Sequence, residues 1–185
     1  MACTKALTAA DRQNMTVTVF AYGSNMLTGQ MARRTSSARL IAPAFLERFT
    51  LRWHKRSKDG SGKCSIEETG RSKDIVWGVL YALNSADKLK LDEFEGLGKG
   101  YGERRVTVFS HGKNLSALAY YATSVDPGVQ PYSWYRELVV AGAREHFLPA
   151  DYIRSLEAIA AIEDPDKERA TQARSMLAGA AGAQR

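Results

Sequence analysis

The run Ile75-Val-Trp-Gly-Val-Leu-Tyr-Ala-Leu83 constrains the fold more than any other stretch of this chain. It is far shorter than the roughly 18 apolar residues of a membrane span. Its β-branched and aromatic content reads as a long central strand. Around it the strand signals are short and numerous. Met15 to Phe20 alternates Met-Thr-Val-Thr-Val-Phe, the period of two that marks a strand. Arg39-Leu-Ile-Ala reads as strand up to a break at Pro43, and Phe49 to Trp53 resumes it. Residues 55–63 read as loop and Cys64 to Glu68 as a short strand. Arg104–Phe109 and Leu115–Ala122 read as a hairpin turning at His111-Gly112-Lys113-Asn114.

Helix signals fall between and after these strands. A short polar helix runs from Thr28 to Arg34. Asn84 or Ser85 caps a second helix, which ends at Glu95 before Gly96. Two more are predicted over Ser133–Glu145 and Pro149–Ile162. Asp164 reads as the cap of a last helix, with Pro165 in its first position, reaching about Leu177 before the tail frays. Strands largely precede helices, without regular βαβ alternation. That order predicts an α+β domain around a mixed or antiparallel, barrel-like sheet. With 185 residues, 44% hydrophobic, the chain has the length of one domain and can bury a core without staples. The expected division is a loose arm at 1–14, a domain at 15–163, and a C-terminal helix and tail at 164–185.

Several function classes fail on spacing. The two cysteines, Cys3 and Cys64, cannot build a disulfide framework or a four-ligand zinc site, and the three histidines are far apart. The glycine run 96–102 lacks the dinucleotide pattern, because its sixth position is Tyr101. It lacks the phosphate-loop pattern too, with Glu93 where glycine is needed and Gly100 where serine or threonine is needed. That run reads as a mobile loop or turn. Ser24 does not sit in a nucleophile elbow. The first twenty residues hold no apolar core of the signal-peptide type, so a cytoplasmic protein is expected.

Charge is unevenly spread. Arg33 to Lys63 carries nine Lys or Arg against Glu47 and Asp59, a local excess of seven in a chain of net +6. Such a patch is either a solvated face or a seat for anions. It carries no nucleic-acid reading motif.

Two short segments remain. Tyr22-Gly23-Ser24-Asn25 ends an apolar strand, and its successive amides could form an anion-holding nest or simply a well-made turn. Asp92-Glu93-Phe94-Glu95 places three acids at a helix C-terminus, against the macrodipole. Solvated surface acids are one explanation and a general acid or base is the other. Periodicity does not choose among the three.

Taken in order, Tyr22-Gly23-Ser24-Asn25, Trp77-Gly78-Val79, Asp92-Glu93-Phe94-Glu95-Gly96, Ala141-Gly142-Ala143-Arg144-Glu145 and Leu148-Pro149-Ala150-Asp151-Tyr152 resemble the γ-glutamylcyclotransferase family, of the AIG2-like superfamily. The likeness runs from about Val17 to Ile159. It implies an α+β fold with a small mixed β-barrel and flanking helices. It implies a reaction without cofactor or metal, in which a γ-glutamyl α-amine attacks its own γ-carbonyl to give 5-oxoproline and a free amine. The family's acid/base glutamate corresponds to Glu95. Its substrate turn corresponds to Tyr22, Gly23, Ser24, Asn25 and Met26, with Met26 in place of the more usual leucine. Later aromatic positions correspond to Tyr101, Tyr120 and Tyr135, although Tyr121 and Tyr132 leave that register open. The partner implied is a small γ-glutamyl substrate, with a homodimer as a possible assembly; neither nucleic acid nor membrane is expected. Arg52, Arg56 and Arg71 are candidates for gripping an acidic leaving group at the mouth of the site. The alternative is a catalytically inactive family member acting as a binding or regulatory protein, against which the retained Glu95 speaks.

Overall fold

The computed structural model describes residues 15–182, so the arm expected at 1–14 and Cys3 lie outside the described residues. In chain order the strands are β1 (Thr16–Ala21), β2 (Arg39–Glu47), β3 (Phe49–Arg56), β4 (Gly62–Glu68), β5 (Ile75–Asn84), β6 (Tyr101–Ser110) and β7 (Lys113–Ala122). The helices are α1 (Thr28–Arg34), α2 (Ser85–Glu95), α3 (Ser133–Glu145), α4 (Ala150–Glu157) and α5 (Lys167–Gly182), and a 3₁₀ turn (Ser24–Met26) precedes α1.

Five strands close into a barrel in the order β1-β5-β2-β6-β7. The predicted central run is β5, which pairs antiparallel with β1 on one side and β2 on the other. Val76, Val79, Leu80, Tyr81 and Leu83 of this strand are each at most 1% exposed. Burying side chains of that size contributes about 1.5–3 kcal/mol apiece. Closure is parallel, Val19 of β1 lying opposite Leu118 of β7, so the barrel is mixed as the resemblance implied. Beside it, β3 and β4 form a separate two-stranded ribbon.

The departures from expectation have local causes. Pro43 does not break β2; it stays paired opposite Val79, and the irregularity falls at a register shift between Leu40 and Ala42. The 55–63 loop shrinks to 57–61, because Lys55 and Lys63 pair across β3 and β4. The 111–114 turn is only His111-Gly112, whose φ values of 47° and 74° suit a tight primed hairpin turn. The glycine run takes the second of its two expected forms, a bonded turn, with Lys99 N donating to Gly96 O and Gly98 N to Tyr101 O, both at 2.8 Å. Helix α4 stops at Glu157 rather than Ile162. Arg136 donates to Ile159 O at 2.7 Å, and Ile162 turns back to bridge Tyr132.

The cap of α5 is Asp166, whose Oδ1 accepts from Arg169 N at 3.0 Å; Asp164 does other work. The Asp164 side chain, 0% exposed, accepts from Trp134 Nε1 at 2.8 Å and from Arg169 at 2.5 Å. Helix α5 also outruns its expected end at Leu177, and residues 183–185 lie outside the described residues. It packs on α3, with Arg174 donating to Ser133 Oγ at 2.7 Å and Glu137 Oε2 at 3.0 Å. No helix among the described residues is long and apolar enough to cross a membrane.

Candidate active site

Strand β1 delivers the Tyr22–Met26 turn. Its last residues, Val19, Phe20 and Ala21, are buried, and the chain leaves the barrel directly into the 3₁₀ turn. Met26 is fully buried behind it. The Met26 carbonyl accepts from Tyr81 Oη at 2.9 Å and from His146 Nε2 at 2.8 Å, so the imidazole carries a proton on Nε2. Gly142 of α3 backs the same turn. A Cβ there would stand 2.6 Å from Leu27 N and 2.7 Å from Met26 Cβ, so only glycine lets the helix come this close. The Met26 and Leu27 amides close the turn onto Gly23 O (3.0 Å) and Ser24 O (3.2 Å). The Gly23, Ser24 and Asn25 amides have no backbone partner among the described residues, the arrangement a nest requires.

Helix α2 delivers the acids. Asn84 caps it by accepting from Asp87 N at 2.8 Å, and Gly96 ends it in the left-handed conformation. The three acids then separate. Glu93 is exposed. Asp92 Oδ1 is occupied by Lys88 Nζ (2.5 Å) and Tyr120 Oη (2.6 Å), and Lys88 also pairs with Glu103. Glu95 turns toward the Tyr22–Met26 turn. Its Oε1 accepts from Asn25 Nδ2 at 2.7 Å and Arg34 Nη1 at 2.8 Å. Its Oε2 has no partner among the described residues. The same Arg34 nitrogen donates to Asn25 Oδ1 at 2.7 Å, locking turn, helix end and carboxylate together.

Tyr22, Gly23, Ser24, Asn25, Glu95, Tyr101, Tyr120 and Tyr135 all line one inner chamber at the mouth of the barrel. Met26 is not on its surface; it is the buried plug beneath the turn. The tyrosine hydroxyls are largely committed to the scaffold. Tyr22 donates to Tyr120 O, Tyr101 donates to Cys64 O at 2.7 Å, and Tyr135 Oη accepts from Cys64 N at 3.1 Å. Burial first, then nearby Cys64 and Glu95, pushes the Tyr22 phenol well up; burial likewise raises Tyr101 and Tyr135. They serve as neutral walls. Of the neighbouring tyrosines, Tyr120 and Tyr135 line the chamber, whereas Tyr132 donates to Asp59 O at 2.9 Å and Tyr121 packs over Gly102.

Cys64 also lines the chamber. Burial pushes its thiol up to about 12, so it is protonated and not a nucleophile near neutral pH. Among the described residues no group of three or more His, Cys, Asp or Glu side chains is placed to hold a metal ion.

The inner chamber opens into an outer one of about 350 Å³, with Ser24, Glu95, Tyr101 and Tyr135 on the boundary. Arg52, Arg56 and Arg71 do not line it. They are exposed and paired with Glu67, Asp126 and Asp74. The cations that do line it are Arg34, Lys55, Lys63 and Arg169. None of these was singled out in the sequence. Arg34 reads as an ordinary basic residue in the last turn of a helix, and Lys55 and Lys63 read as loop charges. Arg169 follows the expected domain by several residues. The local charge excess over 33–63 contains Arg34, Lys55 and Lys63 without distinguishing them from its other cations, and Arg169 lies outside it.

The sequence pattern of the AIG2-like family matches residues 75–156. The gamma-glutamylcyclotransferase of Bos taurus is 34% identical over 148 residues, covering 76% of this chain and 77% of that protein. That of Mus musculus is 31% identical over 163 residues, covering 81% of this chain and 82% of its own length. A solved gamma-glutamyl cyclotransferase structure superposes with a TM-score of 0.78 at 27% identity, over 89% of this chain and 99% of that one.

Proposed function

The chain belongs to the γ-glutamylcyclotransferase family, and we propose that it converts a γ-glutamyl amino acid or amine into 5-oxoproline and a free amine, with Glu95 as general acid and base. The observation that carries this reading is the state of Glu95. One carboxylate oxygen is fixed by Asn25 and Arg34, and the other is left open beside the unpaired amides of the turn.

The steps follow from that arrangement. The turn amides hold the substrate's α-carboxylate or the oxyanion that forms at its γ-carbon. Glu95 Oε2 removes a proton from the substrate ammonium, and the freed amine attacks the γ-carbonyl of the same molecule. As the tetrahedral intermediate collapses, Glu95 returns that proton to the departing nitrogen and takes the second proton from the ring nitrogen, which passes to the released amine or solvent. Nucleophile and electrophile belong to one chain, so the protein need only hold the glutamyl unit curled. The closely set tyrosines shape that fold and keep water out. No electron carrier or nucleotide enters the reaction so drawn.

The test is substitution of the acids. Glu95→Gln preserves shape and hydrogen-bond acceptance at Oε1 but cannot take a proton. It should lower kcat by ~10² to 10⁴ with an unchanged melting profile. Glu93→Gln, on the exposed side of α2, should keep its rate of 5-oxoproline release. The reverse pattern would show that the acid has been misassigned.

A further inference from the structure

The outer chamber holds four cations, and three of them are already answered. Arg34 is bound by Glu95 at 2.8 Å, Lys63 by Asp59 at 2.9 Å, and Arg169 by Asp164 at 2.5 Å. Lys55 has no carboxylate partner among the described residues. This matters because Lys55 and Lys63 sit directly opposite each other on β3 and β4, and so point to one face. Like charges in that relation repel, and only one of the pair has its own counter-ion. The register shift between Arg52 and Lys55 re-aims the strand at this point, as bulges beside active sites commonly do. The bend is held from outside by Asp126 N donating to His54 O at 2.8 Å and by a bridge from Lys55 to Val125. Lys55 Nζ stands 4.7 Å from the centre of the Tyr101 ring, which lines both chambers.

We infer that Lys55 is a specificity-determining residue of this reaction: its ammonium receives the carboxylate of the leaving amino acid. The inference rests on the cyclotransferase reading above and adds a residue to it. The departing nitrogen must pass Glu95 on its way into the outer chamber. In a γ-glutamyl amino acid the leaving carboxylate is two bonds from that nitrogen, in the same compartment as Lys55. Burial makes the lone ammonium harder to keep charged, and the Glu95 and Asp59 carboxylates partly restore it, so an arriving anion completes the site.

The experiment pairs two substrates that differ only in this charge, γ-glutamylglycine and γ-glutamylglycinamide, with wild type, Lys55→Met and Lys55→Arg. The readout is the acid-to-amide ratio of kcat/KM, because a general loss of fold or chemistry lowers both numbers together. Wild type should favour the acid by roughly 10- to 100-fold, the range of one charge-assisted hydrogen bond. Lys55→Met should bring the ratio close to one, mainly through KM for the acid, and Lys55→Arg should keep most of the preference. A ratio unchanged in Lys55→Met overturns the inference while 5-oxoproline release by wild type keeps the underlying reading. Absence of 5-oxoproline from both substrates with wild type overturns the underlying reading itself.

Discussion

Arg34 joins the turn and the helix end of the candidate site through one side chain. A single guanidinium nitrogen reaches both Asn25 Oδ1 and Glu95 Oε1, and so fixes the carboxylate relative to the turn. Arg34→Met should lower kcat roughly tenfold to a hundredfold, the effect of letting the proposed acid/base drift. KM should change little, since the turn amides remain. Arg34→Lys should recover only part of the rate, because a compact ammonium cannot reproduce the planar donor set. Steady-state kinetics on the two variants checks both statements; a loss confined to KM would instead place Arg34 in ground-state binding. At this scale the Tyr22–Met26 turn and the acid cluster Asp92–Glu95 stood out because each is a contiguous motif, and only the family resemblance singled out Glu95 from its neighbours. Arg34, Lys55 and Arg169 did not stand out, because their roles exist only after distant elements meet and nothing local distinguishes them from surface charges.

Among elements, the contact of α3 with the 3₁₀ turn sets the depth of the site. Gly142 lets the helix backbone approach, and His146 and Tyr81 hold the Met26 carbonyl from the same side. Gly142→Ala should push the turn toward the inner chamber. An overpacked core contact costs about 1–3 kcal/mol, so the melting temperature should fall along with activity. Thermal melting and kinetics read together test this; a fully active and equally stable variant would mean that α3 can shift without moving the turn. Element identities were readable from periodicity and caps, which are local. Their ends were not. Pro43 keeps its place in β2, α4 ends where Arg136 and Tyr132 recruit residues beyond it, and Asp164 leaves its predicted capping position to pair inside the protein. In each case a long-range bond outweighed a local preference.

At the scale of the whole molecule, two buried carboxylates tie elements together and set the response to acid. The bond from Lys90 first, then the Ser37 backbone, holds the Asp87 carboxyl down at about 2; the Arg169 bond holds Asp164 at about 2. Both lie below the ordinary aspartate value of about 3.9. Their stabilisation is therefore complete above that value and is lost as pH falls from about 4 through 2. The melting temperature should hold between pH 7 and 5 and drop steeply below 4, with a shallower drop in Asp87→Asn and Asp164→Asn; an identical acid slope in both variants would exclude these two groups as its source. The barrel imposes a different kind of order. Val19 finds its partner Leu118 only across most of the domain, and the turn that follows β1 is shaped by residues as late as His146. A chain growing from its N-terminus thus carries Tyr22 and Glu95 long before it can position either. Closing that seam costs the loop entropy of a long chain segment, which slows folding. A ribosomal product halted before α3 accordingly carries both motifs of the candidate site without the helix that backs the turn.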